Sequence, residues 1–153
     1  MHSAGVTYNF LVGTSGIAGT PYVTYNPRLN YNLSDDLSVS LTSYVSLGFS
    51  GSANSNTGST LAFGLDLPVL VQLNWGHHAT KDTDKAFGIH AAAGYDFNIL
   101  GAAGAGIGML HGLSANVGVK FGIGEKVSLG FRGTYTYALQ SAHIFGIGAL
   151  WNF

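Results

Sequence analysis

The chain contains no cysteine and very little charge. Without cysteine it can form neither a disulfide framework nor a thiolate metal site. Charged residues make up 8% of the 153 residues, against about 25% in ordinary globular domains, so a soluble domain with a charged surface is disfavoured. The lysines and arginines, 6 in all, do not cluster, and the formal net charge is −1. We therefore exclude an electrostatic nucleic-acid-binding protein, which needs a basic patch.

Long hydrophobic runs are also missing. The longest, residues 99–110, is shorter than the roughly 18 to 20 residues that a membrane-spanning helix needs. The start of the chain, MHSAGVTYNF, lacks the basic region and apolar core of a signal peptide, so we expect a mature chain without one. The length predicts a single domain over residues 1–153.

What the chain does have is alternation between apolar and polar residues. In LSVSLTSYVSLGFS, residues 37–50, the odd positions are almost all apolar and the even positions are mostly small and polar. This period of two is typical of a β-strand with two different faces. The same pattern predicts strands at about 4–13, 21–33, 37–50, 61–75, 87–99, 113–123 and 127–139, and one more that ends the chain. We expect a local irregularity at Pro27, because proline cannot donate a ladder hydrogen bond.

About eight such strands predict an all-β fold, a closed antiparallel eight-stranded transmembrane β-barrel with an up-and-down meander. The apolar face is expected outside, against lipid, because the other face carries mainly Ser, Thr, Asn and Gly. A soluble barrel would show the opposite arrangement. Aromatic residues near the strand ends are typical of the girdles of membrane barrels. They are Tyr31, Trp75, Phe87, Trp151 and Phe153 at one rim, and Phe49, Phe97, Tyr137 and Phe145 at the other.

The whole chain resembles the small outer-membrane barrels of Gram-negative bacteria, of the OmpX, OmpA and opacity-protein type. Its ending, FGIGALWNF, resembles the signal that the barrel-assembly machinery recognises, carried by Phe145, Ile147, Ala149, Trp151 and Phe153. The segments LDLPVLVQLNWG and FGIHAAAGYDF are similar to a strand pair of OmpX-like barrels from Bacteroidota. The resemblance implies an outer-membrane location among lipid and lipopolysaccharide. It also implies external loops at residues 14–20, 51–59, 101–112 and 140–143.

Six ionisable side chains are predicted to point into the lumen: Arg28, Asp66, His90, Asp96, Lys120 and Arg132. If Trp75 pairs with Phe87, Asp66 lies directly opposite Asp96, and a slip of two residues leaves the two diagonal. Two carboxylates that close need a cation nearby, so we expect an ion-pair network with arginine or lysine. A proton or cation relay is the alternative. We expect no open pore, and we expect the many inward glycines to leave room for long lumen side chains.

We expect neither a catalytic site, a metal site nor a cofactor. The segment from His111 to Asn116 is similar to the His-x-Ser-Asn element of a lipid deacylase, but one extra residue places His111 and Ser114 on opposite faces of a strand. No acidic residue is placed to orient His111. The candidate metal ligands, His111 and His143 on outer loops and the pair His77 and His78 in a turn, lack a third ligand and are expected to be solvated.

Residues 102–110 form an apolar, uncharged segment where an external loop would ordinarily be polar. Small residues on the neighbouring lipid face allow another protein to approach closely. The predicted docking surface comprises Ala91, Ala93, Ala115, Ala102, Ile107, Met109 and Leu110. A loop folded over its own barrel mouth is the alternative. The sequence thus favours a non-enzymatic structural or accessory barrel, with another outer-membrane protein as its expected partner. The alternative function is a lipid-modifying enzyme or a barrel that binds lipid or a small ligand.

Overall fold

The computed structural model describes residues 1–13, 16–54, 58–80, 83–102, 106–123 and 127–153. This part of the chain is built from β-strands and short turns, and it holds no helix long and apolar enough to cross a bilayer. The strands are β1 (His2–Gly13), β2 (Gly16–Ser34), β3 (Leu37–Ser43), β4 (Val45–Asn54), β5 (Gly58–Asp66), β6 (Val69–Gly76), β7 (Phe87–Ala102), β8 (Gly106–Gly122), β9 (Ser128–Ala138) and β10 (Ala142–Asn152).

These segments close into one antiparallel barrel. Strand β2 pairs with both β3 and β4, β3 pairs with β6, β4 with β5, and β7 with both β5 and β6. The remaining strands pair with their neighbours in the chain, and β1 also pairs with β10, which completes the ring. Strands β3 and β4 are successive halves of one long strand, as are β5 and β6, so the described residues form a ring of 8 strands. The predicted closed β-barrel is confirmed. We call the end that holds both chain termini the lower end, and the opposite end the upper end.

The two interruptions lie next to prolines. Pro27 lies between the part of β2 that pairs with β3 and the part that pairs with β4, and Pro68 lies between β5 and β6. Tyr44 separates β3 from β4. Because proline has no backbone N–H, it removes a ladder hydrogen bond at its own position. The irregularity expected at Pro27 is confirmed. It takes the form of a break at Tyr44 between β3 and β4, the two strands that pair with β2.

The outer surface is an apolar belt. The apolar side chains that alternate along the strands point outward, at even positions in β1 and at odd positions in the other strands. Many are strongly exposed: Leu29 is 75% exposed, Val23 69% and Phe49 64%. All nine aromatic residues of the predicted girdles are exposed on this surface. The polar side chains on the opposite face of each strand point inward, and residues such as Ser38, Thr24 and Ser46 are fully buried. This distribution is that of a barrel whose outer surface faces lipid.

The strands at the upper end are longer than the sequence predicts. Strands β1 and β2 run to Gly13 and from Gly16, and the next two upper hairpins likewise continue through most of residues 51–59 and 101–112. The predicted loops over 14–20, 51–59 and 101–112 are therefore wrong, apart from residues 14–15, 55–57 and 103–105, which lie outside the described residues. Glycine and serine give no apolar alternation, although their backbone pairs well. Only the turn after β9, at residues 139–141, is close to its predicted position.

Candidate functional site

The upper lumen holds the two carboxyl groups. Asp66 is 5% exposed and Asp96 is 3% exposed. The Asp96 Oδ2 atom accepts hydrogen bonds from Asn98 at 2.7 Å and Thr136 at 2.9 Å, and Asn9 donates to Asp66 Oδ2 at 3.5 Å. The Oδ1 atom of each aspartate has no hydrogen-bond donor among the described residues. The two aspartates are diagonal neighbours across the β5–β7 ladder.

The register explains this proximity. Trp75 pairs with Ile89, not with Phe87, so Asp66 lies opposite Asn98 and diagonal to Asp96. The prediction that the two aspartates face each other directly is therefore wrong by two residues. The alternative that a slip of two leaves them diagonal neighbours is confirmed.

An aromatic layer separates the upper lumen from the lower lumen. The Tyr44 ring is buried and packs with Leu70 and Ala92. The Arg132 guanidinium lies over the Tyr44 ring at 3.9 Å from its centroid, a cation–π arrangement. Since Tyr44 fills the interior at mid-height, the lumen is a packed interior there, as expected for a barrel of this size.

Inward glycines make room for large side chains, as predicted. A Cβ atom at Gly64 would collide with the Tyr22 hydroxyl, and one at Gly48 would lie 2.8 Å from the Tyr22 ring. A Cβ atom at Gly118 would collide in the same way with the ring of His90. These glycines therefore let aromatic rings lie flat across the inner wall.

The lower lumen is organised around Asn74, which is 1% exposed. Its Oδ1 atom accepts hydrogen bonds from Arg28 at 2.6 Å and Lys120 at 3.3 Å, and also from Gln72. Its Nδ2 atom donates to Ser40 at 2.7 Å. The sequence analysis did not single out Asn74, although its even position already placed it inside the barrel.

The predicted ion-pair network is wrong. Among the described residues one salt bridge is present, between Lys85 and Asp36 at 3.0 Å, and it lies in the turns at the lower end. Arg28 and Lys120 lie in the lower lumen, whereas Asp66 and Asp96 lie in the upper lumen. Alternation shows which side chains point inward, but the height at which each head group lies depends on register and side-chain conformation.

The turn after β6 closes the lower end of the lumen. Residues 77–80 are all buried there, and Ala79 is 0% exposed. The Ala79 carbonyl accepts hydrogen bonds from Asn30 at 2.9 Å and Ser38 at 2.5 Å. The His78 carbonyl accepts one from Arg28 at 2.6 Å. This charged stretch looked like an exposed turn in the sequence, but its backbone carbonyls serve as acceptors for the lower lumen.

We call this turn, residues 77–80, the cap. Its two histidines are buried, so the prediction that they are solvated is wrong. His77 is 7% exposed and His78 is 8% exposed, and their rings stack at 4.3 Å. Burial, together with the positive charges of His77, Lys120 and Arg28, lowers the pKa of His78 to about 4. Among the described residues no three His, Asp or Glu side chains come together as a metal site.

A cup opens at the upper end, above Tyr22. Its volume is about 390 Å³. Apolar side chains dominate its wall, including Leu11, Phe63 and Leu100. Asn9 and Asn98, which donate to the buried carboxyl groups, also line it. The cup has the size and the mostly apolar lining of a small-molecule pocket.

The predicted docking surface is only partly assembled on one face. Ala91, Ala93 and Ala115 are exposed on the outer face of the β7–β8 hairpin, with Ala93 directly opposite Ala115. Ile107 is 74% exposed and Met109 is 54% exposed, and both continue this face upward. We call these five residues the hairpin face.

Two members of the predicted docking surface do not belong to the hairpin face. Ala102 lines the upper cup, and Leu110 lies opposite Asn98, on the inward side of the hairpin. Both have even numbers on strands whose even positions point inward, so the prediction is wrong for them. The sequence treated residues 102–110 as a loop, where this parity could not be applied.

The catalytic candidates are separated by the barrel wall. His111 lies outside, where its Nδ1 atom is 2.6 Å from the Tyr95 hydroxyl. Ser114 is buried inside, where its Oγ atom lies 2.9 Å from the Thr136 hydroxyl. The side chain of Asn116 also points inward. The structure thus keeps His111 and Ser114 on opposite faces and does not bring them together as a nucleophile and base.

The last strand carries its apolar residues on one face. In β10, Phe145, Ile147 and Trp151 are exposed outward, Ala149 is half-buried between Val6 and Phe131, and Phe153 follows the strand. Phe153 and His2 exchange backbone hydrogen bonds at 3.0 Å. The predicted face is present, and the strand closes the barrel against β1.

Solved structures of outer-membrane barrels share this architecture. Ail, the attachment invasion locus protein of Yersinia pestis, in complex with the heparin analogue sucrose octasulfate, matches with a TM-score of 0.69 and 11% identity, covering 99% of this chain and 96% of that chain. Neisserial surface protein A matches with a TM-score of 0.65 and 14% identity, over 98% and 93%. The outer membrane enzyme PagL matches with a TM-score of 0.52 and 9% identity, over 96% and 97%. At these identities the likeness shows the fold, that of an outer-membrane β-barrel. No family model matches the chain, and no curated protein matches its sequence.

Proposed function

We propose that this chain is a non-catalytic outer-membrane protein that serves as a structural or accessory component and docks against a second outer-membrane protein through the hairpin face. The apolar belt supports insertion among lipid and lipopolysaccharide. The outward residues of β10 support recognition by the barrel-assembly machinery. An origin among the OmpX-like barrels of Bacteroidota belongs to the same proposal, and it rests on the segments LDLPVLVQLNWG and FGIHAAAGYDF.

The observation that carries the docking proposal is a depression in the lipid-facing surface. It has a volume of about 420 Å³, and Ala91 lines it between Leu73 and Val117 on the neighbouring strands. Trp75 and Val119 form part of its rim. Small residues in a bilayer let a second protein approach closely, where van der Waals packing replaces lipid contact.

The hairpin face extends this depression toward the upper end. Ala93 and Ala115, whose side chains are short, form a cross-strand pair directly above Ala91. Met109 and Ile107 follow with exposed apolar side chains. A partner that fills the depression would therefore also contact the apolar hairpin above it. An apolar partner surface in the same membrane is the occupant that this strip fits, because the hairpin face carries no charge.

The test is native electrophoresis of the protein extracted gently from the outer membranes of its own host. We expect wild type to migrate in a larger complex. Ala91→Leu fills the depression and is expected to release the barrel, which should then migrate near its 15.9 kDa plus detergent. Ala4→Leu is the matched control, since Ala4 is an outward alanine on β1, across the barrel from the hairpin face. It should leave the complex intact.

Wild-type protein that migrates alone would contradict the docking proposal. It would favour the second candidate function, the binding of a small ligand or lipid in the upper cup. The cup of about 390 Å³ is the observation that favours this candidate. Native mass spectrometry of the same extract distinguishes the two, because a retained ligand adds its own mass to that of the free barrel.

The absence of catalysis is tested separately. Because His111 and Ser114 lie on opposite sides of the barrel wall, we expect His111→Ala and Ser114→Ala to leave the mass spectrum of the host's lipid A unchanged. Wild type and a deletion strain are the reference samples. A modification that is present in wild type and lost in both variants would refute the proposal of a non-catalytic barrel.

A further inference from the structure

Three cationic side chains are buried in the lower lumen without a carboxylate. Arg28 is 9% exposed, Lys120 3% and Arg132 5%. None of the three forms a salt bridge within the described residues, where Lys85 and Asp36 make the one ion pair. Charges removed from water ordinarily require an opposite charge as well as hydrogen bonds.

The hydrogen-bond partners of these cations are neutral and few. Arg28 and Lys120 share one acceptor, Asn74 Oδ1, and Arg28 also donates to the His78 carbonyl and to the Met1 sulfur. The Arg132 guanidinium packs on Tyr44, and its Nε atom has no partner among the described residues. The cluster therefore keeps unused donor capacity, and no carboxylate forms an ion pair with it among the described residues.

A small cavity lies among the three cations. Its volume is about 20 Å³, and Arg28, Lys120 and Arg132 all line it. This volume suits a single particle the size of a water molecule. Asn116 lines the cavity as well, and its Oδ1 atom has no partner.

We propose that the lower lumen binds one small inorganic anion, the size of chloride, between Arg28, Lys120 and Arg132. The anion supplies the negative charge that the lower lumen lacks and accepts the hydrogen bonds that Asn74 and the His78 carbonyl leave unmade. Sulfate, phosphate and organic acids are too large for the cavity. The site is independent of the docking proposal, because it lies inside the barrel and the hairpin face lies outside.

The first test compares unfolding temperatures of the full chain in dodecyl maltoside, in sodium chloride and in sodium gluconate at equal ionic strength. Gluconate does not fit the cavity, and equal ionic strength removes the effect of screening. A ligand that binds only the folded state raises the unfolding temperature, by roughly 3 to 6 °C for a site occupied in chloride. Equal unfolding temperatures in the two salts would overturn the proposal.

The second test locates the ion. Crystals grown with sodium bromide should show an anomalous peak between Arg28, Lys120 and Arg132, and a map without a peak there would overturn the proposal. Lys120→Met should abolish the difference between chloride and gluconate. Lys85→Met is the control, because Lys85 lies at the surface in a salt bridge with Asp36, and this variant should keep the difference. If Lys120→Met does not fold, the bromide map of wild type alone tests whether an anion binds at this site.

Discussion

The upper and lower halves of the lumen are built alike but carry opposite charges. In the upper half, amide and hydroxyl donors from Asn9, Asn98 and Thr136 surround two carboxyl groups. In the lower half, the Asn74 carbonyl and backbone carbonyls of the cap accept hydrogen bonds from cations. The Tyr44 ring, covered by Arg132, lies between the halves. Buried charge is thus held by neutral dipoles of the matching sign, and amide side chains serve both halves because they both donate and accept.

A pair of isosteric substitutions tests the difference in charge between the two halves, and we expect its effect to be the largest. Asn98→Asp removes the donor to Asp96 and adds a third carboxyl group to the upper half. We expect it to lower the free energy of unfolding by about 3 kcal/mol, since a buried charge without a partner is expensive. Asn116→Asp makes the same chemical change beside the cations of the lower half. We expect it to raise the free energy of unfolding by about 1 kcal/mol.

Urea unfolding in detergent measures both variants against wild type. The sign of the difference matters more than its size, because the two substitutions remove the same amide and add the same carboxyl group. Equal destabilisation by both variants would show that the two halves do not differ in effective charge. Asn116→Asp should also make the barrel insensitive to chloride, because the new carboxylate takes the place of the anion.

A change of pH sharpens the comparison at the lower end, with a smaller effect. The pKa of His78 is lowered to about 4 by burial and by nearby cations, so the unfolded chain takes up a proton near pH 6.5 that the folded chain does not. The contribution of His78 to stability is therefore present above about pH 6.5 and is lost as the pH falls toward about 4. Between about pH 7 and about pH 4 the free energy of unfolding of wild type should fall. We expect the fall to be about 1 to 3 kcal/mol smaller in His78→Gln.

The matched control is His143→Gln. His143 lies outside the barrel at the upper end, where its ring packs against Tyr135 and Tyr137. This variant should follow the pH dependence of wild type in the same denaturant titration. A His78→Gln variant with an unchanged pH dependence would show that the cap histidine does not resist protonation in the folded barrel.

Alternation was enough to predict the barrel, because the side-chain period of a strand depends only on backbone geometry. It also placed Asp66, Asp96, Arg28 and Lys120 inside correctly. It could not predict their heights, since a shift of the β6–β7 register by two residues preserves parity and moves Asp66 from Asp96 to Asn98. The separation of acids from bases therefore lay beyond the sequence pattern.

The cap and the hairpin tips were missed for a different reason. The stretch that begins with His77 and His78 is charged and rich in turn signals, which ordinarily indicate solvent exposure. Its burial comes from contacts with Arg28, Asn30 and Ser38, which are distant in the chain. The glycine-rich tips pair through backbone groups that every residue carries. Neither the burial of the cap nor the pairing of the hairpin tips can be predicted from local composition.

The two prolines have a mechanical consequence. Pro27 and Pro68 lie at the same height as Tyr44, on the strands to either side of it, so ladder hydrogen bonds are missing across adjacent strands. Resistance of a barrel wall to bending comes chiefly from that ladder, and the cylinder is therefore most compliant along this line. A bilayer that thins or compresses would flatten the cross-section there first. The stacked side chains of Tyr44 and Arg132 fill the lumen at this height. Their packing would limit how far the wall can flatten.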